Sequence, residues 1–377
     1  MKDKIYLDNN STTFCDPQVI EAVAAYLSSG AGNPSSVHSA GQQAKGLFLE
    51  AQRKLGSFIK CKPSSIIFTS GGTEAINHCL RGFCANQEKG HILSTNVEHA
   101  AVDGTLNYLS CKGWDVEKLS VGTFGAITPA QIEAAIKPST KLISVIAANN
   151  ETGVITDISS IAAIAEKHNI PVFFDGVAWL GKLPVPQLSG KIMWSFSGHK
   201  IFAPAGIGIA VVTPGIKLES LLKGGHQQQG RRAGTENMAG IVAVSKAVEC
   251  IEGDFETACL RMRTLRDKFE LQIQTNLKNV LVNGEGLRLC NTSNLAFMGV
   301  DGESLLYQLD QQGIAASMGS ACSAGTLEPS RILLNMGYDR SRVLSSIRFS
   351  LSRMTTELEI HQACEIIIAQ VNRARKI

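Results

Sequence analysis

Residues 141–175 read KLISVIAANNETGVITDISSIAAIAEKHNIPVFFD and contain one complete unit of the fold. An apolar run over 141–147 is followed by a polar loop, a helical pattern that starts at Asp157, and a second apolar run over 171–174. A strand, a helix and a strand in this order predict two parallel strands joined by a covering helix. Strands that are apolar throughout are typical of a sheet covered on both faces.

The same alternation extends in both directions along the chain. Short apolar or β-branched runs over 66–68, 91–93, 191–196 and 207–212 predict further strands, with helices from Thr73 and from about residue 100. Asp16 before Pro17 predicts the start of a helix that ends near Gly30. We therefore expect a large α/β domain over residues 14–260.

After about residue 260 the pattern changes. A charged helix over 261–278, a strand over 294–297, a helix over 303–312, a loop rich in small residues over 317–325, a strand over 347–351 and a final helix from Thr356 follow one another. This order predicts a smaller α+β domain formed by residues 1–13 and 261–377.

The composition excludes several classes of protein. Of the 377 residues, 44% are apolar and 18% are charged, which is typical of a soluble globular chain. The net charge of +3 predicts no nucleic-acid partner and no membrane surface. The longest uncharged apolar stretch, 201–216, is too short to span a bilayer and is interrupted by prolines and glycines.

The ten cysteines indicate neither a metal centre nor secretion. The closest two in sequence, Cys79 and Cys84, lie too far apart for a C-x-x-C motif, so no zinc site is expected. Met1 to Lys4 run directly into Ile5 with no apolar leader. We therefore expect a cytoplasmic protein in which most cysteines are small buried apolar residues.

Polar residues follow the predicted strands at the sheet edge where ligands of such folds bind. They are the small-residue turn 69–74, the pair Glu98 and His99, the segment 149–151, Asp175, and the segment 195–200, which ends in Lys200. Taken singly, the turn and Asp175 are ordinary helix caps and the lysine is a solvated loop residue. The turn matches neither G-x-G-x-x-G nor G-K-[ST]. Together, these residues supply the lysine, the acid and the helix N-terminus that pyridoxal phosphate requires.

Nearly the whole chain resembles the cysteine desulfurases of the NifS/IscS group, within the class V aminotransferase-like enzymes of fold-type I. The matching motifs are YLDNNSTT (6–13), GNPSS (32–36), TSGGTE (69–74), NNETG (149–153), SFSGHK (195–200), RAGT (232–235), GSACSAGTLEPS (319–330) and SSIRFS (345–350). The resemblance implies a pyridoxal-phosphate enzyme with a large, mainly parallel, seven-stranded sheet and a smaller α+β domain.

The resemblance also implies a role for each matching residue. Lys200 would bind the cofactor covalently and move the substrate's Cα proton, Asp175 would hold the ring nitrogen, His99 would stack on the ring and Asn150 would face its hydroxyl. Gly72, Thr73, Ser197 and His199 would bind the phosphate. In the family a threonine of the second subunit completes this pocket, which here is Thr235 and implies a homodimer.

The substrate side of the site follows in the same way. Asn33 and Arg348 would hold the substrate carboxylate. Cys322 lies in the long loop typical of this group and would take the substrate's sulfur as a persulfide; its ordinary alternative is a buried cysteine in a small-residue turn. The chain departs from the family at Ala178, where the family has a glutamine, at 203–206, which read APAG instead of GPKG, and in a one-residue shortening between Asp175 and Lys200.

The resemblance therefore implies conversion of L-cysteine to L-alanine, with sulfur passed to an iron–sulfur scaffold, to tRNA thiolation or to another acceptor protein. Two alternatives remain. One is a related class V enzyme, such as a selenocysteine lyase or an aminotransferase. The other, motivated by Ala178, is a weakly active paralogue that serves as a binding partner in sulfur transfer.

Overall fold

The computed structural model describes residues 4–29, 32–319 and 328–376. Its strands are β1 Ile5–Tyr6, β2 Ile66–Thr69, β3 His91–Thr95, β4 Asp115–Leu119, β5 Thr140–Ile146, β6 Val172–Asp175, β7 Ile192–Ser197, β8 Gly208–Val212, β9 Val280–Val282, β10 Thr292–Phe297, β11 Ile314–Ala315 and β12 Ser346–Ser350. Its helices are α1 Pro17–Ser28, α2 Ser39–Ile59, α3 Gly72–Cys84, α4 Ala100–Cys111, α5 Pro129–Ala135, α6 Ile158–Lys167, α7 Met238–Glu252, α8 Phe255–Asn276, α9 Gly302–Gln311, α10 Arg331–Asn335, α11 Arg340–Leu344 and α12 Glu357–Ala374.

A seven-stranded sheet in the order β2-β8-β7-β6-β5-β3-β4 forms the centre of the large domain. All neighbours are parallel except β8, which is antiparallel to both β2 and β7. The predicted fold class, a mainly parallel sheet with covering helices, is therefore confirmed. The register places Asp175 beside Ile146 and beside Ser195, so the ends of β5, β6 and β7 form one edge.

The apolar strands bury both faces of this sheet. In β6, Phe173 belongs to one hydrophobic cluster and Phe174 to the cluster on the opposite face. In β7, Met193 and Trp194 alternate in the same way. Because successive side chains of a strand point to opposite faces, a strand covered on both sides is apolar at most positions. This explains the apolar runs 171–174 and 192–194, whereas the buried Ser195 that follows donates to Asp175.

The helix boundaries follow local signals in the sequence. Asp16 caps α1 by accepting from Gln18 N, with Pro17 in the first turn, as expected. Asp157 caps α6 and Thr356 caps α12. Neither α2 nor β4 was predicted from the sequence. The edge strand β4 reads DVEKL and is largely half-buried, so it carries no continuous apolar run.

The smaller domain has its own core. Strand β1 pairs in parallel with β11, and β12, β10 and β9 form an antiparallel sheet. Ile5 and Leu7 join Phe269, Phe349 and Ile367 in one hydrophobic cluster. The boundary expected between 260 and 261 falls inside α8. Of the loop expected over 317–325, residues 317–319 are described and the rest lies outside the described residues.

Within the described part of the chain, no helix is both long enough and apolar enough to cross a membrane.

Candidate active site

A cavity of about 220 Å³ opens at the carboxyl ends of β5, β6 and β7. Its walls carry Asn9, Asn10, Ser11, Gly72, Thr73, Ile76, His99, Ile146, Ala148, Asn150, Asp175, Val177, Ala178, Lys182, Ser197, His199 and Lys200. Eight residues singled out from the sequence thus share one wall: Gly72, Thr73, His99, Asn150, Asp175, Ser197, His199 and Lys200. This convergence is what the strand-end argument predicts for a parallel sheet.

The acid of the cavity is Asp175, the last residue of β6. It is 2% exposed and accepts hydrogen bonds from Val177 N and Ser195 Oγ, each at 3.1 Å. Burial raises the pKa of this carboxyl, while His99, these two hydrogen bonds and the Lys200 ammonium act in the opposite direction. A cationic ring nitrogen placed against Asp175 would offset the cost of burying its charge.

The amine of the cavity is Lys200, at the end of the short 3-10 turn Gly198–Lys200 that follows β7. Its Nζ donates to the backbone carbonyls of Asn10 and Ser11, so the N-terminal segment holds this side chain in the cavity. Next to it, His199 Nδ1 lies 3.2 Å from Thr12 Oγ1. Burial lowers the pKa of His199 to about 4, helped by the charges of Lys200 and Lys182. His199 is therefore a neutral hydrogen-bonding group near pH 7.

The turn 69–74 leads into α3 without a side-chain cap, so the first N–H groups of the helix are available to a ligand. Two glycines are needed here for close approach. A Cβ at Gly208 in β8 would lie 2.4 Å from the carbonyl carbon of Gly71, and one at Gly72 would lie 3.0 Å from Val177 Cγ2. Bare N–H groups at the positive end of a 13-residue helix, beside Thr73 and Ser197, form a site suited to an anion.

His99 and Asn150 lie on the same wall as Asp175. His99 caps α4, and its Nδ1 accepts from Ala101 N at 3.1 Å, so the neutral ring carries its proton on Nε2. The Oδ1 atom of Asn150 is buried and has no hydrogen-bond partner in the described part of the chain. A buried acceptor without a donor, on the wall of a cavity, suits a ligand that brings a hydroxyl group there.

Arg348 lies in β12, behind this wall, and is 1% exposed. Its guanidinium forms an ion pair with Asp8 (Nη2 to Oδ1, 2.8 Å) and donates to the Asn150 carbonyl at 3.0 Å. Its Nε is buried without a partner in the described residues. Asn33 is exposed in the segment after α1, where its Oδ1 accepts from Ser35 N. The cavity wall includes neither residue.

Three further expectations concern Ala178, Thr235 and Cys322. Ala178 lies on the cavity wall. Thr235 is exposed and is not part of the wall, and its role toward a second subunit stays a prediction. Cys322 lies outside the described residues.

Sequence reasoning missed Lys182, a second amine on the same wall. It is 6% exposed, and its Nζ donates to the Lys200 carbonyl at 2.6 Å. Burial lowers the pKa of this amine to about 8. The available signal was weak: Lys182 is the only charged residue in the otherwise apolar stretch 177–186.

Comparisons with known proteins bear on this cavity. The family model "Aminotransferase class-V" matches residues 5–362. A protein of Nostoc sp. named "Cysteine desulfurase" is 41% identical over 99% of this chain and 94% of its own length. One of Dictyoglomus turgidum named "Cysteine desulfurase IscS" is 35% identical over 100% of this chain and 97% of its own. A solved structure titled "NIFS-LIKE PROTEIN" superposes with a TM-score of 0.91 at 31% identity, covering 98% of this chain and 100% of the other.

Proposed function

We propose that this chain, which belongs to the aminotransferase class-V family, is a cysteine desulfurase that converts L-cysteine to L-alanine and retains the sulfur. The observation that carries the proposal is the meeting of Lys200, Asp175 and an uncapped helix N-terminus in one cavity of a chain 41% identical to a named cysteine desulfurase. These relatives do not favour the selenocysteine lyase, aminotransferase or binding-partner alternatives.

The cavity fits pyridoxal phosphate on its own features. The Asn150 Oδ1, which has no hydrogen-bond partner among the described residues, suits the ring hydroxyl. The buried Asp175 suits a protonated ring nitrogen, and the start of α3 suits the phosphate. Thr73, Ser197 and the neutral His199 lie on the wall beside that helix end. When bound, pyridoxal phosphate supplies an electron-accepting ring that stabilises negative charge on the substrate's Cα.

The chain's own groups then move the protons. Lys200 Nζ, held by the carbonyls of Asn10 and Ser11, is the amine that takes the proton from the substrate's Cα and returns one to the alanine product. His99 carries a proton on Nε2 when neutral, and it serves beside Lys200 as a second general acid or base of the cavity. Lys182 positions Lys200 through the backbone carbonyl.

We propose that Arg348, with Asn33, binds the substrate carboxylate. Arg348 offers a planar donor whose buried Nε is without a partner in the described residues, and Asp8 holds the guanidinium in place from the other side. Asn33 must approach from its exposed segment to take part. Asn150 and Asn10 form part of the cavity wall, and the amino acid would lie against them.

We propose that Cys322 accepts the sulfur. Its thiolate attacks the substrate's Sγ and the Cβ–S bond breaks, so that L-cysteine and one enzyme thiol become L-alanine and one enzyme persulfide. A second subunit would contribute Thr235 to the phosphate site, and a sulfur-acceptor protein, such as an iron–sulfur scaffold, would take the persulfide. We expect the protein to act in the reducing cytoplasm, where free thiols such as those of its nine described cysteines persist.

The test is the release of alanine and sulfide from L-cysteine by the purified chain loaded with pyridoxal phosphate, in the presence of a thiol reductant. Equal amounts of alanine and sulfide are expected, with a visible absorbance band of the bound cofactor. Production of alanine from L-selenocysteine alone, or of a keto acid, would contradict the proposal. Cofactor binding without any turnover would favour the binding-partner alternative.

A further inference from the structure

Cys259 and Cys290 meet between the two domains. Cys259 lies near the start of α8 and Cys290 lies just before β10. Both thiols donate to one oxygen, the backbone carbonyl of Lys182, at 3.4 Å from Cys259 Sγ and 3.7 Å from Cys290 Sγ. Both sulfur atoms therefore lie within 3.7 Å of the same oxygen atom. Two residues 31 positions apart in sequence therefore hold their sulfur atoms side by side.

The neighbouring contacts fix this pairing. Further along α8, Arg266 donates to the Leu289 carbonyl, and Glu270 forms a two-pronged ion pair with Arg288 at 2.5 and 2.8 Å. The segment 288–290 thus runs beside α8, is attached to it by these two sets of contacts, and shares the Lys182 carbonyl with it through the two cysteines. Formation of a disulfide would bring together two sulfur atoms that already share this acceptor.

The surroundings shift the pKa values of the two thiols in opposite directions. The neighbouring Cys259 thiol lowers the pKa of Cys290, and the Lys182 ammonium acts in the same direction. The neighbouring Cys290 thiol, together with burial, raises the pKa of Cys259. Cys290 is 1% exposed, whereas Cys259 is half-buried and is the more accessible of the two thiols.

We infer that Cys259 and Cys290 form a redox-active dithiol, a modification site that a small peroxide closes to an intramolecular disulfide. The Cys290 thiolate attacks one peroxide oxygen, the O–O bond breaks, hydroxide leaves and takes up the proton that Cys290 has lost, and the sulfur becomes a sulfenic acid. Cys259 Sγ then attacks that sulfur, its proton leaves with the hydroxyl as water, and the S–S bond forms. The two thiols give up two electrons, and hydrogen peroxide is reduced to two waters.

The test is peptide mapping of the full chain, loaded with pyridoxal phosphate, after brief treatment with hydrogen peroxide and blocking of the remaining thiols with N-ethylmaleimide. Trypsin alone leaves Cys290 with Cys322, and Cys259 with Cys250. Trypsin combined with a glutamate-specific protease releases 257–261 and 289–303, each with one cysteine. The expected product is these two peptides joined, lighter by two hydrogen atoms than their sum and separated by dithiothreitol.

Two variants sharpen the result. Cys259→Ser keeps a donor for the Lys182 carbonyl, and it should abolish the cross-link and leave Cys290 as a sulfenic acid that dimedone traps. Cys111→Ser, at the exposed end of α4, is the matched control and should leave the cross-link unchanged. If peroxide-treated wild-type protein still shows both Cys259 and Cys290 alkylated after denaturation, or links either of them to another cysteine, the inference is wrong, whether or not a variant folds.

Discussion

Replacing Lys182 with methionine tests how the second amine of the cavity acts. Methionine has a similar length but no charge and no donor. In the wild type, burial lowers the pKa of Lys182 from 10.5 to about 8, and a shift of that size corresponds to roughly 3 kcal/mol against the charged form. The ammonium donates to the Lys200 carbonyl at 2.6 Å, and this hydrogen bond offsets part of the cost of burying the charge.

The sign of the pH dependence follows from linkage. Between pH 8 and 10.5 the unfolded chain carries a proton on Lys182 that the folded chain has lost, so the free energy of unfolding rises with pH over this window. The Lys182→Met variant lacks this contribution. Near pH 7 the variant avoids the burial of a charge but loses a charge-assisted hydrogen bond worth about 1.5–3 kcal/mol, so the two effects nearly cancel.

The assay is urea denaturation of wild type, Lys182→Met and Lys167→Met at several pH values between 7 and 10.5. Lys167 is 68% exposed and serves as the matched control, because its removal should leave the rise in unfolding free energy unchanged. We also expect Lys182→Met to shift the absorbance of bound pyridoxal phosphate and to lower kcat more than it raises KM. Wild type and Lys182→Met curves that stay parallel from pH 8 to 10.5 would refute the reasoning.

Four other variants test the proposed function. Lys200→Ala should abolish the visible absorbance of the bound cofactor and all turnover; since Lys182 shares the cavity, borohydride trapping of the wild type must map to Lys200, and trapping at Lys182 would overturn the assignment. Cys322→Ala should keep cofactor binding and its spectral response to L-cysteine but lose the protein persulfide seen by mass spectrometry; an undiminished persulfide elsewhere would remove Cys322 from its role. Arg348→Ala should raise KM for L-cysteine roughly ten- to a hundredfold, because a charge-assisted contact contributes about 1.5–3 kcal/mol; Arg348→Lys should recover only part of this loss, and an unchanged KM in Arg348→Ala would assign the carboxylate to another group. Ala178→Gln should shift the cofactor spectrum and raise kcat several-fold, as expected for one added hydrogen bond of about 0.5–1.5 kcal/mol; an unchanged spectrum and kcat in a folded variant would show that residue 178 does not reach the cofactor.

The sheet and its edge were predictable because they depend on local patterns. The runs 171–174 and 192–194 are apolar at every position, and each is followed by a polar residue, Asp175 or Ser195, which the parallel arrangement places side by side. Helix starts at Pro17 and after Asp157 follow from capping side chains next to an apolar period. The edge strand β4 was not predicted, because a strand at the edge of a sheet tolerates charged residues and so lacks a continuous apolar run.

The parts of the site that escaped prediction depend on long-range packing. No pattern in the sequence around Lys182 predicts that its amine is buried against the carbonyl of Lys200. The proximity of Cys259 and Cys290 requires α8 to lie along 288–290. The ion pair of Arg348 with Asp8 joins residues 340 positions apart. Local motifs identified the chemical groups, whereas their partners were set by the tertiary fold.

Contacts of the N-terminal segment with β12 determine when, during translation, the cavity can take its final form. Asp8 pairs with Arg348, Asn9 bonds to Ser350, and Lys200 bonds to Asn10. At synthesis rates of about 5–20 residues per second, the ribosome adds the 340 residues between Asp8 and Arg348 in roughly 20–70 s. During that interval the nascent large domain can form its sheet, but the cavity lacks the wall that β12 supports. Capture of a ligand there therefore requires that β12 has been synthesised and has left the ribosome.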